Sequence, residues 1–284
     1  GRCAAVEPTC EGTLPITHAR PAARPASRAH TAGTHRGHAS RAPSADRVKV
    51  VLYVNEQDRL KQAAALEAIL LVESGMVVGL GTGSTARHFV AELGRLLGTG
   101  ELERVTGVPT SQATAQQARE VGIPLVELGA AGVDLAVDGM DEYDDALNAI
   151  KGLGGALLRE KVVAAAAGTF VLIGDASKHV TRLGSLAPVP VEVARFGWRR
   201  TAAVLEGVGA VPSLRSVEGE PFVTDNGNLI LDCRFPGGFE ATSLADALSS
   251  VPGVMEHGLF VGMAHRAFVA GAAGTLALTG AAAR

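Results

Sequence analysis

Three short runs of this chain combine residue types that could handle a small anionic substrate. The first is Gly81-Thr82-Gly83-Ser84-Thr85. Glycines let a backbone approach an anion, hydroxyls donate hydrogen bonds, and a following helix points its positive end at the same place. The run has neither the spacing and Lys of a nucleotide P-loop nor a G-x-G-x-x-G, so a phosphate monoester suits it better than a nucleotide. A Gly-rich turn that only starts a helix would look the same. The second run is Asp138-Gly139-Met140-Asp141-Glu142. Its crowded acids could perturb one another's titration and supply an acid/base pair, could hold Mg²⁺, or could form a solvated loop. No second cluster of acids or histidines accompanies them, which weighs against a metal. The third run is Lys151-Gly152-Leu153-Gly154, leading to Arg159-Glu160-Lys161. A Lys beside flexible backbone can neutralise an oxyanion, and partial burial would give Glu160 the raised pKa of a useful general base. Taken alone, Arg159-Glu160-Lys161 reads as an exposed charged helix face.

Elements that could position these runs are visible around them. Asn55 precedes a helical pattern with apolar residues at Leu60, Ala63, Ala64, Leu66, Ile69 and Leu70, with Asn55 or Asp58 as its cap and Ser74-Gly75 as its end. MVVGLG is a short strand entering the first Gly-rich turn, and ARHFVAELGRLL is the helix after it. Strands at VTGVP, PLVEL, LAVDGMDE and TFVLIGD alternate with helices at ATAQQAREVG and GALLREKVVAAAA, so a mostly parallel sheet with right-handed crossovers is the economical architecture. From Pro188 to Glu256 the texture changes to PVPVEVA, a helix around ARFGWRRTAAVLEGVG, and FVTDNGNLILDCRF. There Asp225-Asn226-Gly227-Asn228 signals a hairpin. HGLFVGM and AFVAGA then return to the main sheet. The expected fold is doubly wound α/β, a Rossmann-like sheet over 48–185 with a smaller α+β, ferredoxin-like subdomain over 186–256, and 257–284 rejoining the first.

Composition narrows the functional classes. The chain has 284 residues, 47% hydrophobic but only 4% aromatic, so its core must be built from Val, Leu, Ile and Ala, which suit a sheet covered by helices. No apolar run is long enough to predict a membrane span. Cys3, Cys10 and Cys233 lack metal-ligand spacing, and Cys233 reads as a small core residue. The net charge of −3 conceals two unlike parts. Residues 1–47 carry seven Arg against Glu7, Glu11 and Asp46, whereas the remainder holds 19 of the 26 basic and 26 of the 29 acidic residues. An acidic body without a basic stripe predicts no nucleic-acid partner. The Arg-rich, Ser-containing, acid-poor first 47 residues match an organelle transit peptide with cleavage near 40–50; a disordered tail is the alternative.

The runs GLGTGSTARHFVAELG, VPTSQAT, DGMDE, KGLGGALLREK, GDASKHV, PVPVEV, TDNGNLILD and VPGVMEHGLF together resemble the type A ribose-5-phosphate isomerases, in the family's order and over essentially everything after residue 55. The texture resembles the plant and algal branch. That implies a chloroplast location for the mature chain, with mitochondrion or cytoplasm as alternatives. The resemblance implies interconversion of D-ribose 5-phosphate and D-ribulose 5-phosphate through an enediolate, in the pentose-phosphate pathway or carbon fixation, without cofactor or metal, in a homodimer or homotetramer. It further implies that Thr82, Gly83, Ser84 and Thr85 line the phosphate site and that Asp138, Gly139, Met140 and Asp141 form an acidic substrate loop. Lys151, Gly152, Leu153 and Gly154 would form a second loop, with Lys151 steadying negative charge. Glu160 matches the general base, and Lys61 and Lys178 match basic residues near the substrate. Leu153 stands where the family usually has Gly, and Met140 where it usually has Ala. Two other readings compete: a sugar-phosphate sensor without catalysis, which would dispense with Glu160 and Lys151, and an amino-sugar phosphate isomerase or lactone hydrolase using His88, His179, His257 or His265.

Overall fold

The computed structural model describes residues 55–280 and Ala282. The predicted leader, Cys3, Cys10 and residues 48–54 lie outside the described residues. In chain order the elements are α1 (Glu56–Ile69), β1 (Val77–Leu80), α2 (Ala86–Thr99), β2 (Thr106–Pro109), α3 (Gln112–Glu120), β3 (Val133–Gly139), β4 (Glu142–Tyr143), β5 (Ala149–Ile150), α4 (Leu157–Ala165) and β6 (Ala167–Asp175). They continue with β7 (Val189–Val193), α5 (Trp198–Gly207), β8 (Val211–Leu214), β9 (Ser216–Val217), β10 (Glu220–Pro221), β11 (Leu229–Arg234), α6 (Ala241–Ser249), β12 (Val254–His257), β13 (Leu259–Phe260), β14 (Arg266–Gly271) and β15 (Gly274–Thr279).

The main sheet has the order β15-β14-β6-β3-β1-β2, parallel throughout except for the antiparallel edge strand β15. Each parallel strand is an apolar run, as burial on both faces demands. From β1 the chain crosses one way to β2 and then the other way to β3. The crevice beyond the carboxyl ends of β1 and β3 is therefore the switch point, where open α/β sheets bind ligands. One face buries Ala64, Ala65, Ala68 and Ile69 of α1 with Phe89, Val90 and Leu93 of α2; the other buries Val163 and Ala164 of α4 with Phe170 and Phe260.

A second sheet, β12-β7-β11-β8, is antiparallel throughout. With α5 and α6 it runs β-α-β-β-α-β in the order 4-1-3-2, the ferredoxin-like arrangement, with the β9–β10 ribbon inserted. Its own core holds Val189, Val191, Leu205, Leu231, Leu248 and the fully buried Cys233, whose thiol is pushed up to about 12 by burial and then by neighbouring Asp232.

Several local expectations changed. Asn55 is the α1 cap, accepting from the Gln57 N–H at 3.1 Å. The buried stripe of α1, however, runs through Ala64, Ala65, Ala68 and Ile69, where the helix packs on α2, β6 and β14, leaving Leu66 and Leu70 exposed. PLVEL makes no strand; it gains one parallel bridge, Gly107 with Leu125, and its remaining polar backbone faces outward. The Asp225–Asn228 turn closes through Thr224 N–H to Asn228 O at 3.0 Å, but flanks a single bridge, Val223 with Leu229, rather than a long hairpin. Leu259–Phe260 joins the small β13-β5-β4 sheet instead of the main one, and only β14 and β15 complete the latter.

Candidate active site

The carboxyl end of β1 delivers Gly81–Thr85 against the start of α2. The backbone N–H groups of Gly83, Ser84 and Thr85 donate to nothing among the described residues, and the helix dipole adds positive potential there. Gly81 cannot be larger: a Cβ would stand 2.6 Å from the Asp138 Cα and overlap its carboxylate. That close approach lets the Thr82 N–H donate to Asp138 Oδ1 at 3.0 Å. Behind Thr82, its hydroxyl meets those of Thr110, Ser111 and Thr114 at 2.7, 2.9 and 3.0 Å. This hydroxyl cluster has no role in the sequence reading. Its signal was T-S-x-x-T directly after a strand.

Asp138 lies inside the end of β3 and Lys151 follows β5, so two different sheets bring them together. The Lys151 ammonium is 3.1 Å from Asp138 Oδ2 and 3.3 Å from Glu160 Oε2, and it donates to Gly139 O at 2.6 Å. All three side chains are at most 5% exposed. Glu160 comes from the first turn of α4. Its Oε2 is buried with no hydrogen-bond partner, the ammonium that donates to Gly139 O lying 3.3 Å away at ion-pair distance. Burial, then Asp138, raises Glu160 to about 8 against the opposing pull of Lys151. Burial also raises Asp138, with Lys151 and the amides of Gly139 and Thr82 pulling back. Burial works to lower Lys151, but Asp138, Glu160 and Asp141 outweigh it and hold the ammonium above its ordinary range. A carboxyl without a hydrogen-bond partner, poised near neutrality beside a fixed cation, can take and return a proton.

The cavity wall consists of Lys61, Thr82, Gly83, Ser84, Thr85, Gly139, Met140, Asp141, Lys151, Gly152, Gly154, Glu160 and Lys178. Lys61 arrives from α1. Lys178 arrives from a single 3-10 turn, Ala176–Lys178, capped by Asp175 at the end of β6. Two sequence candidates stand outside the wall. Asp138 sits behind it, beneath Lys151, and the Leu153 side chain points away at 44% exposure. Asp141 Oδ2 instead accepts from the Leu153 backbone N–H at 3.0 Å. None of the four histidines lines the cavity. His88 pairs with Asp58, His179 with Asp145, His257 with Ser249 and Lys161, and His265 accepts from the Phe170 N–H.

The family model for ribose 5-phosphate isomerase A (phosphoriboisomerase A) matches residues 106–274. The chain belongs to the ribose 5-phosphate isomerase A family. Ribose-5-phosphate isomerase A of Roseiflexus sp. (strain RS-1) is 52% identical over 220 residues, 77% of this chain and 94% of that protein. A probable ribose-5-phosphate isomerase 2 of Arabidopsis thaliana is 48% identical over 226 residues, covering 77% and 85%. Among solved structures, a D-ribose-5-phosphate isomerase in complex with phospho-erythronic acid superposes with a TM-score of 0.77 at 38% identity, covering 79% of this chain and all of that one. The Plasmodium falciparum ribose 5-phosphate isomerase gives 0.76 at 38% identity, covering 78% and 98%. Met140 is buried with its Cε against Gly174, where a Cβ would come within 2.8 Å of it. Leu153 lies outside the cavity wall, its backbone N–H bonded to Asp141 Oδ2.

Proposed function

We propose that this chain carries out the isomerisation of ribose 5-phosphate to ribulose 5-phosphate with Glu160 as the base that moves the proton between C1 and C2. The observation that carries this is the buried Glu160 oxygen without a hydrogen-bond partner, 3.3 Å from the Lys151 ammonium in the wall of a phosphate-sized polar cavity. Glu160 removes the C2 proton of the open-chain aldose, an enediolate forms with its charge against Lys151, a proton passes from the C2 hydroxyl to the C1 oxygen, and Glu160-H returns the carbon-bound proton to C1 of the ketose. Asp138, held behind Lys151, with Asp141 at the rim, serves ring opening. The free amides of Gly83–Thr85, with Lys61 and Lys178, bind the phosphate and hold the reacting carbons in register. The Lys151 ammonium stands at the centre of the acids, where a divalent cation would have to sit, so the account needs none. Residues 48–284 incubated with ribose 5-phosphate and EDTA should form ketose rapidly, with glucosamine 6-phosphate inert in parallel. Activity lost in EDTA and restored by Mg²⁺ would contradict it, and tight binding without turnover would return the sensor reading.

The Arg-rich, acid-poor first 47 residues support a plastid-targeting role, and the Arabidopsis relative is compatible with it. A plastid address would serve carbon fixation as well as pentose-phosphate metabolism. Fusing those residues to a fluorescent protein tests this, and cytosolic fluorescence would exclude it. The resemblance supports a homodimer or homotetramer, which light scattering of the purified chain decides. Separate sheets support 48–185 with 257–284 as a catalytic domain and 186–256 as a second one, the core of the second also taking in Ile150, Val180, Leu183 and Leu259.

A further inference from the structure

The Gly152–Gly155 loop is held from outside the cavity by a guanidinium that no motif singled out. Arg215 follows β8, is 12% exposed and does not line the cavity. Its Nε and Nη2 bind the two Asp232 oxygens at 2.9 and 2.5 Å. The remaining Nη1 donates to both Gly152 O and Leu153 O, each at 2.9 Å. The Phe222 ring lies 5.9 Å from the guanidinium carbon and also backs the loop, since a Cβ on Gly155 would come within 2.5 Å of that ring.

Peptide planarity turns these contacts into an orientation. In a trans peptide the C=O and the next N–H point opposite ways. The Gly152–Leu153 peptide is therefore gripped at both ends, its carbonyl by Arg215 and its N–H by Asp141 Oδ2 at 3.0 Å. The Leu153–Gly154 peptide has its carbonyl drawn to Arg215, away from the cavity. Its other end, the Gly154 N–H, must then face inward, where Gly154 lines the wall and has no hydrogen-bond acceptor among the described residues. Gly152, at φ +101°, supplies the left-handed bend that makes this possible.

Building on the isomerase reading of the same site, we propose that Arg215, anchored by Asp232, is a positioning residue that aims the Gly154 N–H at an oxygen of the bound sugar. A lysine can keep the charge opposite Asp232 but cannot hold that carboxylate bidentately while donating to two carbonyls. Replacing Arg215→Lys should lower kcat/KM for ribose 5-phosphate at least tenfold while the inhibition constant of inorganic phosphate, bound at the α2 end of the cavity, stays within twofold. Added guanidinium should restore part of the activity of Arg215→Ala but leave the wild type unchanged. A wild-type kcat/KM in Arg215→Lys would overturn the proposal, as would an equal loss of phosphate affinity, which marks general disorder of the site. Amide NMR separates this from the functional reading. Ribose 5-phosphate should shift the Gly154 amide in the wild type and not in Arg215→Lys, whether or not turnover occurs; the same shift in both proteins would sink the role of Arg215.

Discussion

Lys151, Asp138 and Glu160 form a buried set of two carboxyls and one ammonium, one negative charge too many for a dry site, so one carboxyl retains a proton near neutrality. Asp138 accepts two backbone N–H bonds, from Thr82 and Gly139, whereas Glu160 accepts none from the backbone and its Oε2 is buried 3.3 Å from the ammonium, which favours the proton on Glu160. Activity should therefore rise with pH as Glu160 ionises: kcat/KM falls about tenfold per unit on the acid side and levels above about 8. Stability carries the opposite sign. In the unfolded chain Glu160 ionises near 4.5, so between 4.5 and about 8 the folded state holds a proton that the unfolded state has lost. Folded stability must then decline with rising pH across that window because of this residue. Glu160→Gln should accordingly raise Tm relative to the wild type at pH 9 and give no gain at pH 4; a lower Tm at pH 9 would show that the carboxylate stabilises the fold. The sequence placed Asp138 in one motif and Lys151 with Glu160 in another. It could not show that the Lys would be central, because β3, β5 and α4 converge only through tertiary packing.

At the scale of elements, local patterns were legible wherever one face of an element decided its fate. β1 with its Gly-rich turn, α2, β3 with its terminal acids, and β6 appear where the alternation of apolar runs and caps puts them. The misses have a common cause, which is that neighbours overrule pattern. Leu66 and Leu70 fit a helical stripe, yet the face packed on α2, β6 and β14 is that of Ala64, Ala65 and Ala68. PLVEL has the composition of a strand but lies beside the β2 edge with a single bridge. Leu259–Phe260 pairs with β5, where the Lys151 N–H donates to Gly258 O at 2.8 Å just before it. The same closeness of elements makes a prediction at Gly81. Gly81→Ala forces a methyl into Asp138 at the β1–β3 contact, an overpacking that should cost about 1–3 kcal/mol of stability. It should also lower kcat through displacement of Asp138. Denaturant unfolding and steady-state kinetics check both, and a variant with unchanged stability and kcat would show that the β1 turn yields easily.

For the whole molecule, the change of texture after Pro188 gave the ferredoxin-like unit as a second subdomain over 186–256, but not its contacts with the first. Its contacts with the flank of the site, Arg215 on Gly152 O and Asn226 on Arg159 at 2.8 Å, join segments more than 60 residues apart. Removing residues 1–47 should leave kcat and KM within twofold, since every residue assigned to the cavity lies between Lys61 and Lys178; a large loss would give the leader a part in the site. No helix among the described residues is long and apolar enough to cross a membrane.

The most direct test of the central claim is proton transfer by Glu160→Gln in deuterated water. With ribose 5-phosphate, the wild type should form ribulose 5-phosphate and exchange solvent deuterium into the transferred position. The variant should bind the substrate with similar affinity while both turnover and exchange fall by about 10²–10⁴-fold, the usual worth of a positioned general base. Near-normal turnover or exchange in the variant would remove Glu160 from the mechanism.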